Sequence, residues 1–445
     1  MKGSPAIARS LNWPRVDRAA LLGSSLLLMV AASQWGMLWL AALYLQAGRI
    51  PDTTSPEAVF GTIAILMALA AMLLFDARRP RSAPDFTGWF LGLFLLAGII
   101  GEVMRPDQRL GNVSTFLSIG AYYLVGVAIG RVAATTDGRL PMLRGLLAIY
   151  TFWYVGIAYF LGSGDLGFFG VLPGTGLLRL EFREGFTATE LPIYVGFQFP
   201  ILLYTIFVTR SPLLRLWALM LGLCATALVA ATVSAAALTG LALVLLLFLA
   251  AHWRTRRNAT ISPLALLAGV GTLAVASAVA WATLVAIVGS VESKLHDMTV
   301  GEGARGKIYR QLVHDMVTHP LGIGKGRFVE TNNFSWLGEG VYPHQNLLGI
   351  GAELGIPALV LFVAFALAAV IVLGRRALAG PARYSRPLRM LATAVLAIFV
   401  YQQFRGLFQD TWGVRETYLW LGVGIGAILA PIARSGTTVP EARTE

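Results

Sequence analysis

The chain has 445 residues, of which 56% are apolar and only 13% charged, with a mean hydropathy of +0.69. Soluble domains carry about 25% charged residues, so an array of soluble domains is excluded and the chain reads as an all-α, polytopic membrane protein. A single cysteine, Cys224, excludes an intrachain disulfide and a thiolate metal cluster, and the net charge of +12 is first an orientation signal and only then a hint of an anionic ligand.

A helix needs about 20 apolar residues to cross the hydrocarbon core, and in chain order that ruler predicts about twelve spans. They are 20–46, 58–76, 86–104, 113–132, 144–162, 191–209, 213–232, 236–252, 262–289, 357–374, 387–403 and 416–433. The stretch 213–252 is too long for one span and divides near Ser234, where Thr232, Ser234 and Thr239 interrupt the aliphatic residues. The first span is too long in its apolar part to be a cleaved signal peptide, and no clear small-residue cleavage site follows it. Twelve spans put both termini on one side. With the N-terminus inside, 22 of the 35 Lys and Arg fall on the cytoplasmic side and 17 of the 23 acids on the other, which predicts an N-in/C-in topology. The reading is a single transmembrane domain over 1–434 and a short cytoplasmic tail at 435–445. Two long connections, 163–190 and 290–356, lie on the outer face, where long ordered loops carry function.

The longer loop contains the chemistry. Ile308, Leu312, Val313, Met316 and Val317 recur at helical spacing after Arg305, with Lys307, Arg310, Gln311 and His314 opposite and Pro320 as the stop. This predicts short amphipathic helices lying in the membrane interface with a basic side available for phosphate. The residues alone leave open a surface helix whose charges only face water. Gly322, Gly324 and Gly326 follow, allowing close backbone approach to an anion, although the spacing is not that of a P-loop. His344, Gln345 and Asn346 then open a short apolar helix from Leu347 to Glu353. A helix N-terminus disfavours imidazolium and keeps a histidine available as a neutral base.

In the shorter loop Arg179, Glu181, Arg183 and Glu184 crowd the mouth of a span, either as a salt-bridge cluster or as an anion site. Arg105, Arg109, Arg405 and Arg415 stand at other outer span ends, where basic anchors are normal. No metal motif is present: His314 and His319 are five residues apart and point in different directions on a helix. No nucleotide or other cofactor motif and no nucleic-acid-binding pattern occurs.

Together these residues resemble the bacterial O-antigen ligase and O-antigen polymerase family, whose fold is similar to the GT-C membrane glycosyltransferases. The resemblance covers 305–357 in detail. Arg305 opens a helix ending in His319-Pro320-Leu321; Gly322, Gly324, Gly326 and Phe328 follow; and the His344 turn leads into Glu353-Leu354-Gly355. Upstream, Arg183 and Gly185 precede Pro192 at the mouth of a span. Two departures stand out. Ser234-Ala235-Ala236 lacks the arginine of the family's Ser-Arg-x-Ala hairpin, and Gln345 interrupts the His-Asn pair.

The resemblance implies glycosyl transfer at the periplasmic face of the inner membrane. The donor is a glycan on undecaprenyl pyrophosphate, and the acceptor is a sugar hydroxyl on lipid A-core (ligase) or on another lipid-linked glycan (polymerase). It implies His344 as base, Arg305 and Arg183 on the pyrophosphate, and Lys307, Arg179, Lys325, Arg327 and Tyr309 as substrate-binding residues. No metal and no cofactor is called for, because the linkage itself stores the energy. Twelve spans also suit a transporter or lipid-glycan flippase. Such carriers concentrate charge at the bilayer midplane, whereas here the polar residues gather in outer loops. The missing arginine near Ser234 keeps a non-catalytic relative in view.

Overall fold

The computed structural model of the chain describes residues 86–105, 110–134, 136–162, 169–171, 178–180, 191–232, 234–255, 304–328, 345–379, 385–409 and 411–429. The predicted spans 20–46, 58–76 and 262–289, and the tail 435–445, lie outside them. The described elements are helical apart from one hairpin: α1 (Phe86–Val103), α2 (Leu110–Ala133), α3 (Thr136–Gly162), β1 (Phe169–Val171), β2 (Leu178–Leu180), α4 (Leu191–Val208), α5 (Pro212–Ala231), α6 (Ala235–Thr255), α7 (Ala304–Thr318), α8 (Asn346–Leu354), α9 (Ile356–Ala377), α10 (Arg386–Gly406) and α11 (Arg415–Leu429). Seven of these (α1, α2, α4, α5, α6, α9 and α10) are long and apolar enough to cross a membrane. The chain is a multi-pass membrane protein.

Helix edges follow the hydropathy closely, including the break at Ser234 between α5 and α6. Ser211 caps α5, its hydroxyl accepting from the Leu214 amide, with Pro212 in the first turn. Two expectations need correction. The fifth predicted span starts earlier than expected, at Thr136, and its apolar stretch is only Met142–Ala158. The last predicted span, 416–433, is described as α11 over Arg415–Leu429, and residues 430–433 lie outside the described residues. The 163–190 connection is not all loop: β1 and β2 pair antiparallel, with Gly170 opposite Arg179 and Leu180 buried in the core. Pro173, Gly174 and Gly176 lie between the strands and are turn-forming residues, a hairpin signal that the helical composition of the chain hid.

α4 and α10 form the centre of the bundle and are buried along most of their length, whereas α1, α5 and α9 each keep a broad apolar face exposed. Such a pattern fits helices whose outer face meets lipid. α10 packs against α4, α6, α9 and α11. The Tyr401 ring slots between α4 and α6 at Gly196 and Gly240, and its hydroxyl donates to Pro192 O at 2.8 Å. α2 and α11 meet along a seam of small residues. A Cβ on Gly126 or Gly130 would lie 2.1 or 2.0 Å from Leu419 O or Val423 O, and one on Gly422 or Gly426 would lie 2.2 or 2.1 Å from Tyr123 O or Val127 O. Reciprocal Gly-x-x-x-Gly spacing lets the two backbones touch, the way helices associate where lipid offers no hydrophobic drive.

The two ends of the bundle differ. At one, basic side chains satisfy carbonyls near helix C-termini: Arg386 donates to Phe207 O (2.8 Å), Arg389 to Ala379 O (3.0 Å) and Arg215 to Thr209 O (2.7 Å). At the other, the C-terminal ends of α1 and α10 and the N-terminal ends of α2, α4, α9 and α11 converge with α7, α8 and the glycine segment.

Candidate functional site

α7 forms as its periodicity predicts, and the chain turns away at Pro320. Ile308, Leu312 and the half-buried Met316 and Tyr309 pack on Ile323, Phe328, Leu348 and Ala352, a small core separate from the main one. The predicted faces are only half right. Asp315 is buried and accepts from Gln311 Nε2 at 2.8 Å, and the single apolar face read from the sequence is divided, with Val313 and Val317 exposed while Ile308 and Leu312 are buried. The buried arc is thus centred between Leu312 and Ile308 rather than on Val313. Arg305 lies in the first turn of α7, and Lys307, Arg310 and His314 are exposed.

The glycine segment does not offer its first amides to an anion. Those of Gly322, Ile323 and Gly324 donate to His319 O (2.7 Å), Ala352 O (2.9 Å) and Glu353 O (2.8 Å). These bonds fasten the segment to the end of α8. Gly322 has φ 85° and Gly355 φ 94°, conformations that favour glycine. The two residues also abut: a Cβ on Gly322 would lie 2.4 Å from Glu353 O, and one on Gly355 would lie 2.6 Å from Leu321 C.

The cations of this segment are held by the α1–α2 corner. Arg327 is buried and pairs with Glu102 at 3.1 Å. Arg105 donates to Gly322 O at 2.6 Å and to Gly101 O at 3.0 Å, and Asn112 donates to Lys325 O at 3.0 Å. Lys325 Nζ sits 5.3 Å from the Trp412 ring and 5.9 Å from that of Phe116, a cation–π arrangement. Arg105 is therefore a clasp rather than a surface anchor. Glu102→Ala should strip a buried guanidinium of its carboxylate and cost about 3–5 kcal/mol. The expected readout is a clear fall in the thermal midpoint of the detergent-solubilised protein; an unchanged midpoint would show that the pair is not what holds the loop.

α8 starts as expected. Gln345 is its N-cap, in extended conformation, with its side-chain oxygen accepting from the Leu348 amide. The residue that interrupts the His-Asn pair is thus the one that begins the helix. Asn346 is buried and docks on the turn between α10 and α11: its Oδ1 accepts from Thr411 N (2.7 Å) and Trp412 N (3.2 Å), and its Nδ2 donates to Thr411 Oγ1 (3.1 Å). Thr411 Oγ1 donates to Gln402 O (3.1 Å), and Gln402 Nε2 donates to Ile193 O in the first turn of α4 (3.0 Å).

Of the predicted site residues, His344 and Arg183 lie outside the described residues. The former immediately precedes Gln345, and the latter belongs to the connection that enters α4 at Leu191. Arg305 and Arg179 are placed by their backbones, on α7 and β2. Arg405, read as an anchor, is instead buried on the last turn of α10, donating to Gln409 Oε1 with its guanidinium 6.0 Å from the Tyr401 ring. Composition cannot distinguish a buried arginine from a rim arginine, but its spacing of three and four residues from the inward-facing Gln402 and Tyr401 was a usable signal. The α5–α6 turn at Ser234, which lacks its expected arginine, lies at the same end, because Gly240 early in α6 packs on Tyr401.

Residues 218–363 match the family model described as O-antigen ligase. This supports membership of the O-antigen ligase and polymerase family. The matched stretch runs from α5 to the first turns of α9 and includes α7, the glycine segment and α8. The α1–α2 clasp and the α10–α11 turn stand outside it. A search of curated proteins gives no match.

Proposed function

We propose that the chain is a periplasmic-face glycosyltransferase of the bacterial inner membrane, moving a glycan from undecaprenyl pyrophosphate to a sugar hydroxyl. The acceptor is lipid A-core in a ligase or a second lipid-linked glycan in a polymerase. The ligase-family match supports the reaction class. The observation that carries the site is the buried hydrogen-bond chain from Asn346 through Thr411 and Gln402 to Ile193. It ties the helix that follows His344 to the helix that follows the Arg183 loop. Buried charge also favours an enzyme over a carrier: Glu102, Arg327 and Arg405 sit at span ends, not at mid-bilayer.

In this reading the acceptor hydroxyl attacks the anomeric carbon and the bond to the pyrophosphate oxygen breaks. His344 takes the hydroxyl proton, and the lipid pyrophosphate departs with its charge stabilised by Arg305 and Arg183. Lys307, Arg179 and Tyr309 contact substrate from α7 and β2. Lys325 and Arg327 serve from behind, fixing the glycine segment against α1 and α2. No metal takes part, since guanidinium forks carry the leaving charge. Twelve spans with both termini in the cytoplasm would set the 290–356 loop, as the catalytic loop, and the 163–190 loop in the periplasm.

A deletion strain tests this directly. Loss of every long chain from the lipopolysaccharide core is the ligase outcome, and capping with single units is the polymerase outcome; unaltered surface polysaccharide would refute both. Arg305→Lys should lose much of the activity, because a point charge does not replace a bidentate fork. Wild-type transfer by that variant, measured on purified donor, would remove bidentate recognition at Arg305.

A further inference from the structure

α7 carries a second apolar row that, among the described residues, no other element covers. Val313, Val317 and Leu321, four residues apart, are 48%, 73% and 75% exposed. At about 100° per residue Val313 and Val317 lie across the helix from Ile308 and Leu312, which fill the small core. The exposed Arg310, His314 and Lys307 lie beside that row. The row also has a fixed place along the bundle. Leu321 follows Pro320, whose carbonyl accepts from Ile356 N at 2.9 Å, the amide that opens α9. α9 is the most apolar of the spanning helices, and Ile356, Val360, Val363 and Leu367 are exposed along it. The exposed row of α7 therefore ends, at Leu321, beside the opening turn of α9, where the exposed apolar row of that helix begins.

We propose that α7 docks on the bilayer itself, with Val313, Val317 and Leu321 set among the upper acyl carbons and Lys307 and Arg310 on the phosphates of anionic lipid. A helix with one apolar stripe and adjoining cations binds an interface by both burial and charge, and long cationic side chains reach up from an apolar stripe to the headgroups. The assignment does not depend on the glycosyl-transfer reading. It concerns the resting surface of the protein in lipid.

The full chain can be labelled site by site once its single cysteine, the exposed Cys224, is changed to Ala. Spin labels at Val317→Cys, Leu321→Cys and, as a water-facing control, Thr318→Cys would be read in phosphatidylcholine vesicles with and without phosphatidylglycerol. Labels at 317 and 321 should be relaxed several-fold more by oxygen, relative to a water-soluble nickel chelate, than the label at 318. Equal nickel access at all three sites would place the helix in water and overturn the proposal. Labels at 317 and 321 that are immobile and reached by neither reagent would overturn it in favour of a protein partner. Phosphatidylglycerol should deepen the label at 317, and Lys307→Gln with Arg310→Gln should abolish that gain; no effect of lipid charge would overturn the phosphate contact.

Discussion

His344→Ala should reduce glycan transfer by about 100- to 10,000-fold, the range over which a positioned general base acts, while leaving the protein inserted and folded. Both halves of that expectation follow from α8. His344 immediately precedes the N-cap residue in the sequence, and the expectation is that of a histidine at a helix N-terminus, where imidazolium is disfavoured. The fold of α8 depends on Gln345 and Asn346, not on the histidine: Gln345 caps the first turn, and Asn346 makes three hydrogen bonds to Thr411 and Trp412. Removing the imidazole should therefore spare the scaffold. The check is transfer from a lipid-linked donor by purified protein, beside its thermal midpoint. Transfer at the wild-type rate would remove His344 as the base. A collapse of folding along with activity would mean that the residue is structural.

The largest effect on folding should come from Gly130→Val. The first added carbon would sit 2.0 Å from Val423 O, and the obstacle is backbone, so no rotamer relieves it. Overpacking of side chains against one another costs about 1–3 kcal/mol, and here two whole helices must separate, so at least about 3 kcal/mol is expected. The seam joins an early helix to the last described one, so its loss should prevent recovery of folded protein from the membrane. Gly92→Ala is the matched control, since nothing lies within 4 Å of its added carbon, and it should be close to neutral. A Gly130→Val protein as stable as the control would mean that α2 and α11 do not pack as described.

Much of this architecture is legible from local pattern. The hydropathy runs give the edges of α1, α4, α5 and α10 closely, and the Ser234 break is real. Pro320 ends α7, and the histidine turn precedes a helix. What stays hidden is everything that depends on a remote partner. The glycines at 322 and 324 read equally well as an anion cradle or as a clasp, and only the carbonyls of Ala352 and Glu353 decide between them. Arg105, Arg327 and Arg405 look alike in a string of residues, although one bonds a loop carbonyl, one a buried acid and one a glutamine. The apolar positions of α7 form two rows, and periodicity shows that they exist but not which one faces the protein. The spacing of Gly126 with Gly130 and of Gly422 with Gly426 is visible at once, but that the two pairs face each other is not.

The meeting of Gly322 with Gly355 bears on how such chains can diverge. Thirty-three positions separate these residues, yet each occupies the space where the other's side chain would begin. Neither can be exchanged alone, and no compensating change at the opposite site can restore the fit, because both are already as small as an amino acid can be. The glycine string after the proline and the Glu-Leu-Gly string before α9 are thus a single inherited unit written in two places, which a lineage must retain or lose together.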